Sequence, residues 1–282
     1  MSAPTAVPVL DLRGERTPLG ALLRDFWRHR DLVSMLARQD YRSRYRSASL
    51  GLVWAVTLPM LQGLVIAVIF SRLVGSGSTK TYIPYVVAGV TAYSTFSSSL
   101  SSASTSIVDS AAIAGRIYFP RLVLPMVAPT ANLPGLGIST ALALAITLAL
   151  GTGPSLWLLL LPTSIVLSWL LAVSAGALLA MLHVYSRDVR YLVQAGTLVM
   201  FYATPIIYAL SGDTGRALPA GLRPYVLANP ATGLVQLNRL AITGHADYVL
   251  PAVLVTLGWV VVLTGLTLAA YCSKERVACD RL

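Results

Sequence analysis

Every acidic and basic side chain of this chain lies outside six long apolar stretches, near residues 50–71, 83–107, 122–150, 155–183, 191–210 and 249–272. Each is about 20 residues or more, enough for a helix to cross a hydrocarbon core of roughly 30 Å. In lipid, a helix is the one single-segment structure that satisfies its own backbone polar groups. The pattern therefore predicts an all-α polytopic membrane protein with six transmembrane helices and an uncharged interior. Only 11% of the 282 residues are charged, against about 25% in a soluble domain. In that setting a net charge of +10 speaks for membrane orientation and against nucleic-acid binding.

The basic residues are shared unequally between the loops. Residues 1–49 hold nine Arg, and the loops near 108–121 and 184–190 and the tail bring that side to sixteen basic residues. The other side has five: Arg72, Lys80, Arg216, Arg223 and Arg239. The positive-inside rule then puts both termini in the cytoplasm, with the chain multi-pass in the plasma (inner) membrane. The expected organisation is a cytoplasmic N-terminal segment at 1–49, a six-span domain at 50–272 and a short cytoplasmic tail at 273–282. Residues 1–20 contain no apolar core of the kind a cleavable signal peptide needs, so insertion is expected to rest on the first span. Cys272 and Cys279 are expected as free thiols on the reducing side.

Within the N-terminal segment, Thr17-Pro18 suits a helix start. Leu19, Leu22, Leu23, Phe26 and Trp27 recur at helical spacing, and Leu32, Val33 and Leu36 continue the pattern. This predicts one or two amphipathic helices on the cytoplasmic membrane face. Arg38, Arg42, Arg44 and Arg46 follow, either as an anchor near anionic lipid or as a docking surface for a headgroup or a cytoplasmic partner. On the other side, residues 211–248 are apolar but interrupted by Pro224, Asn229-Pro230 and Gly233. They are expected to form short helices dipping back into the outer leaflet, covered by protein or a wet cavity. Thr204-Pro205 should break the fifth span.

Two spans carry unusual side chains. Between Ser94 and Ser106, ten of thirteen residues are Ser or Thr. Such hydroxyls can bond back to carbonyls one turn earlier and let helices approach closely. They can also wall a hydrated conduit for a polar, uncharged cargo. In the fourth span Ser168, Ala172, Gly176 and Ala180 form a small-residue ridge for a neighbouring helix, within the subunit or along a dimer seam.

Catalytic chemistry has little support. The three His are far apart, and CxxC, HExxH and GxSxG patterns are absent. The stretch Gly75–Thr81 lacks the Gly before Lys that a phosphate loop needs. No metal site or bound cofactor is expected, and ATP-driven work would have to come from another chain. Ion-coupled transport is disfavoured because it usually needs ionisable groups inside the membrane.

Taken in order, several segments resemble ABC transporter permeases of the polysaccharide, O-antigen and teichoic acid export family. They are Leu36-Ala-Arg-Gln-Asp40-Tyr-Arg-Ser-Arg44-Tyr45-Arg46 with Leu50-Gly51-Leu-Val-Trp54 and Pro59, then Ile113-Ala-Gly-Arg-Ile-Tyr-Phe119-Pro120-Arg121-Leu-Val-Leu-Pro125. Arg187-Asp188-Val189, Thr204-Pro205-Ile-Ile-Tyr208 and Asn229-Pro230 complete the set. The resemblance runs from about residue 30 to the tail. It implies a homodimer of six-span subunits with two copies of a cytoplasmic nucleotide-binding ATPase, which would hold the ATP and Mg. It also implies an N-terminal interface helix near Leu32 to Tyr45 and an outer re-entrant segment near Leu222 to Thr243.

The cargo it implies is a polyprenyl-diphosphate-linked glycan of O-antigen, teichoic acid or galactan type, moved from the cytoplasmic to the outer leaflet. ATPase coupling would fall to the segment Asp109 to Arg121, including Ile113, Arg116, Ile117 and Phe119. Arg38, Arg42, Arg44 and Arg46 would steer the diphosphate headgroup. Tyr93, Phe96, Ser98, Ser102, Phe201, Tyr202 and Tyr208 would be conduit candidates. Two other readings remain: an ABC permease for a drug or small lipid, and a membrane-embedded enzyme acting on polyprenyl phosphates.

Overall fold

Helix covers nearly all of the computed structural model, which describes residues 20, 24, 27–46, 52–73, 79–110, 121–151, 155–211 and 218–279. The helices are α1 (Arg30–Arg46), α2 (Leu52–Leu73), α3 (Thr79–Asp109), α4 (Leu124–Ala149), α5 (Leu161–Tyr185), α6 (Val189–Ala203), α7 (Arg223–Ala228), α8 (Pro230–Thr243) and α9 (Val249–Cys279). Among the described residues, three helical stretches are long and apolar enough to cross a membrane: Arg121–Ala149, Leu156–Tyr185 and Val249–Ser273. A shorter apolar helix spans Val56–Ser71.

The longest helices follow the apolar runs because lipid leaves a backbone no alternative partner to its own next turn. The break expected at Thr204-Pro205 is present: α6 ends at Ala203, and Thr204 is extended. The helix has 15 residues, which at 1.5 Å per residue is shorter than the hydrocarbon core. The chain beyond it runs irregular to Ser211, and Thr204, Ile206, Ala209 and Leu210 are buried.

α3 stands at the centre, packed against α2, α4, α5, α6 and α8. Its small side chains make that possible. A Cβ on Gly176 of α5 would come within 2.5 Å of the Ala103 side chain, and one on Gly63 of α2 within 3.3 Å of Val90. Ser168, Ala172, Gly176 and Ala180 are all buried, so the α5 ridge serves packing inside the chain. The main core joins Tyr85, Val86, Tyr93 and Phe96 of α3 with Leu167 and Leu171 of α5, Val193 and Phe201 of α6, and Leu234 of α8. A second cluster joins Val33 of α1 to Ile107, Met181 and Tyr271, which docks α1 onto one end of the bundle.

Among the described residues between α6 and α9, a 3-10 turn at Ala220–Leu222 leads into the short helices α7 and α8. Asn229 caps α8 by accepting from the Ala231 N–H at 2.9 Å, and Pro230 sits where a missing N–H costs nothing. Gly244, at φ 78°, ends the helix in the left-handed conformation. Between those caps almost every residue of α8 is buried. Gly233 allows it to lie against α9, since a Cβ there would meet the Ala252 carbonyl oxygen at 2.6 Å.

Candidate functional site

The hydroxyls of α3 divide by hydrogen-bond partner. Thr91, Ser94, Thr95, Ser104, Thr105 and Ser106 each donate to a carbonyl three or four residues earlier. That back-bonding hides their polarity from the helices around them. Ser98 and Ser102 make no hydrogen bond within the described chain; Ser98 is exposed and Ser102 half-buried. Of the aromatic conduit candidates, Tyr93, Phe96 and Phe201 lie in the main core. Tyr93 meets Phe96 and Phe201 edge-on, at ring-centroid separations of 6.1 and 5.4 Å. Its hydroxyl donates to the Thr197 carbonyl. These three side chains are therefore buried core groups. Tyr202 is exposed and Tyr208 half-buried, so surface access belongs to Ser98, Ser102, Tyr202 and Tyr208.

At the end of the bundle that carries α1, a polar cavity of about 410 Å³ opens between α1, the last turns of α3 and the first turns of α4. Arg44 reaches its rim. Its guanidinium grips Asp40 one turn earlier, with Nη2 2.7 Å from one carboxylate oxygen and Nε donating to the other at 3.1 Å. The acid-before-base order four residues apart is the favourable one on a helix. Arg44 Nη1 also donates to the Asn132 amide oxygen at 3.2 Å, and the Asn132 amide nitrogen donates to Ser99 at 2.9 Å. One polar relay thus ties α1 to α4 and α3.

The three described arginines of the expected headgroup set, Arg38, Arg42 and Arg44, do not converge. Arg38 and Arg42 are exposed, on the helix face opposite Leu36 and Arg44 by their spacing. The Arg46 side chain lies outside the described residues. Of the coupling residues, Asp109 ends α3, and its carboxylate accepts from Arg190 of α6 at 2.8 Å. Arg121 opens the 3-10 turn that leads into α4. Ile113, Arg116, Ile117 and Phe119 lie outside the described residues.

The expectation of an uncharged interior is overturned by Arg239. It sits in α8 with 0% exposure. Its Nε donates to the Tyr85 carbonyl at 3.0 Å, Nη2 to the Ile206 carbonyl at 2.6 Å, and Nη1 to the Gln236 side chain at 3.2 Å. The guanidinium carbon lies 3.5 Å from the centroid of the Tyr85 ring, a close cation–π contact. Tyr82 and Tyr85 donate their hydroxyls to the Ile207 and Tyr208 carbonyls at 2.6 and 3.0 Å. Three successive carbonyls of the broken segment, 206 to 208, are thus each taken by a side chain of α3 or α8. A burial this complete is possible because each of the three guanidinium nitrogens has an acceptor and the Tyr85 ring covers the face. Gly89 leaves the room, since a Cβ there would stand 2.9 Å from Nη2.

Counting Arg239 as a loop charge missed this cage. The available signal was polar residues at 236, 238 and 239 inside an otherwise apolar helical run. Asn132, alone among apolar neighbours in the third apolar stretch, was a similar signal for the cavity.

A family model described as ABC-2 type transporter matches residues 31–236, from the start of α1 into α8. The O-antigen export system permease protein RfbA of Myxococcus xanthus is 27% identical over 208 residues, covering 73% of this chain and 80% of that protein. The protein of the same description from Klebsiella pneumoniae is 25% identical over 242 residues, covering 84% of this chain and 90% of that one. A helical bundle with apolar spans, and a family match that runs through both the cavity and most of the buried cage, lead to one assignment: the chain belongs to the ABC-2 type transporter family of membrane permeases.

Proposed function

We propose that this chain is the membrane-spanning permease subunit of an ATP-driven exporter for a polyprenyl-diphosphate-linked polysaccharide of O-antigen, teichoic acid or galactan type. Movement is from the cytoplasmic to the outer leaflet. The observation that carries the reading is the likeness to O-antigen export permeases along 84% of the chain, in which the relative is itself 90% covered. Side chains with free hydroxyls on α3, and the scarcity of charge in the spans, support a polar and uncharged cargo.

In this reading the chain crosses the membrane six times with both termini in the cytoplasm, and the segment holding α7 and α8 re-enters from the outer side. Two copies pair, and each binds one ATPase subunit that holds the nucleotide and Mg. The Asp109–Arg121 segment receives the ATPase stroke. Arg38 and Arg42, exposed on α1, attract the diphosphate, since guanidinium groups suit phosphate oxygens. Ser98, Ser102, Tyr202 and Tyr208 contribute to the glycan path.

Depletion of the protein in its host, followed by analysis of the lipid-linked glycans, tests the proposal. Export predicts a polyprenyl-linked polymer accumulating on the cytoplasmic leaflet. A normal glycan pool together with raised sensitivity to a drug would replace this reading with a small-molecule exporter.

A further inference from the structure

Among the described residues, the charges at the cavity beside α1 are paired. Arg44 is closed on Asp40, and Asp109 is closed on Arg190. Among the described lining residues the one cation, Arg44, is already held by Asp40, so an entering phosphate gains no free guanidinium there. A neutral ligand with many hydroxyls would meet the opposite situation. A paired carboxylate keeps lone pairs for further hydroxyl donors. The Ser102 hydroxyl and the Gln39 amide line the same cavity and make no hydrogen bond within the described chain. Leu36 and Val127 supply an apolar surface between them, of the kind that takes the C–H face of a sugar ring. At about 410 Å³ the space falls within the roughly 300–1,000 Å³ usual for small-ligand sites.

We propose that this cavity is a subsite for a neutral sugar residue of the lipid-linked cargo, bound through Gln39, Ser102 and the free lone pairs of the half-exposed Asp109 carboxylate. Arg44 acts there as a positioning residue, fixing the Asp40 carboxylate and, through Asn132, the α4 wall. The choice of ligand rests on the export reading; the choice of a neutral group over an anion rests on the ion pairs. The diphosphate is held elsewhere, so one cargo molecule is recognised at two separate places.

The test uses the full chain in lipid nanodiscs and two probes: a polyprenyl diphosphate bearing one N-acetylhexosamine, and the same polyprenyl diphosphate without sugar. The double variant Gln39→Leu, Ser102→Val should bind the sugar-bearing lipid about tenfold more weakly, as expected for two lost hydrogen bonds. Its affinity for the sugar-free lipid should stay within about twofold of the parent. Equal loss on both probes, or loss on neither, overturns the subsite. A second measurement does not depend on that variant folding well. Ser102→Cys, in a Cys272→Ser, Cys279→Ser background, should be protected from maleimide labelling by the sugar-bearing probe alone. Protection only when the partner ATPase is added would assign the cavity to that protein and overturn the proposal. A parent protein that binds neither probe would overturn the export reading itself.

Discussion

Arg239 is the residue whose environment departs furthest from its chemistry. A buried guanidinium persists when each of its main donors has an acceptor, and the Tyr85 and Ile206 carbonyls and the Gln236 amide supply them. Replacement by Met keeps the volume and strips the donors, leaving the Ile206 carbonyl and the Gln236 amide oxygen without this partner, at about 1–3 kcal/mol each. Arg239→Met should therefore lower the thermal unfolding midpoint in detergent markedly. Arg239→Lys should recover only part of it, because one ammonium cannot reproduce the planar fork. A midpoint equal to the parent's would show the cage to be dispensable. Gly89→Val presses on the same guanidinium from α3 and should cost about 1–3 kcal/mol as an overpacked site, read by the same unfolding measurement.

Among the elements, the tightest approach with backbone on one side is that of α8 to α9. At Gly233 the obstruction is the Ala252 carbonyl, which cannot rotate out of the way as a side chain can. Gly233→Ala should therefore separate the two helices, costing about 1–3 kcal/mol, and increase proteolysis between α6 and α9; an unchanged digestion pattern would count against it. At the opposite end, Asp109 and Arg190 join the ends of α3 and α6 through a pair that is about half exposed on both sides. Such a pair adds little stability, about 0–1 kcal/mol. If the segment after Asp109 couples to the ATPase, Arg190→Ala should leave the unfolding midpoint in place yet loosen the link between ATP hydrolysis and export. The charge swap Asp109→Arg, Arg190→Asp should restore it. Tight coupling in Arg190→Ala would remove the pair from the stroke.

For the molecule as a whole, the bias of sixteen basic residues to five across the expected loops predicts cytoplasmic termini. A fluorescent protein that folds only in the cytoplasm should light up when fused to either end. An alkaline phosphatase fused there should stay inactive, and an active fusion at one end would demand an odd number of spans. The same bundle carries a polar cavity at the α1 end and a carbonyl cage where α8 meets the break after α6. Between them runs α3, lined with back-bonded hydroxyls. At Gly176 of α5 a Cβ would stand 2.5 Å from the Ala103 side chain of α3, so the two helices leave no room there for a larger residue.

The sequence by itself determined the solvent, the secondary structure and the family. Exclusion of charge from long apolar runs demands lipid-embedded helices, because no other single segment satisfies its backbone there. Thr204-Pro205 and Asn229-Pro230 act locally, through missing donors and φ restrictions, and so these breaks too were legible. Tertiary structure alone decided which polar groups meet. Arg239 finds the Tyr85 carbonyl across 154 residues, and Arg44 finds Asn132 across 88. Periodicity along one helix tells which face is apolar and does not tell which neighbour covers it. That is why Arg38 and Arg42, counted in one cluster with Arg44, lie on the opposite face of α1 from it, and why Tyr93, Phe96 and Phe201, plausible walls of a path by composition, are core.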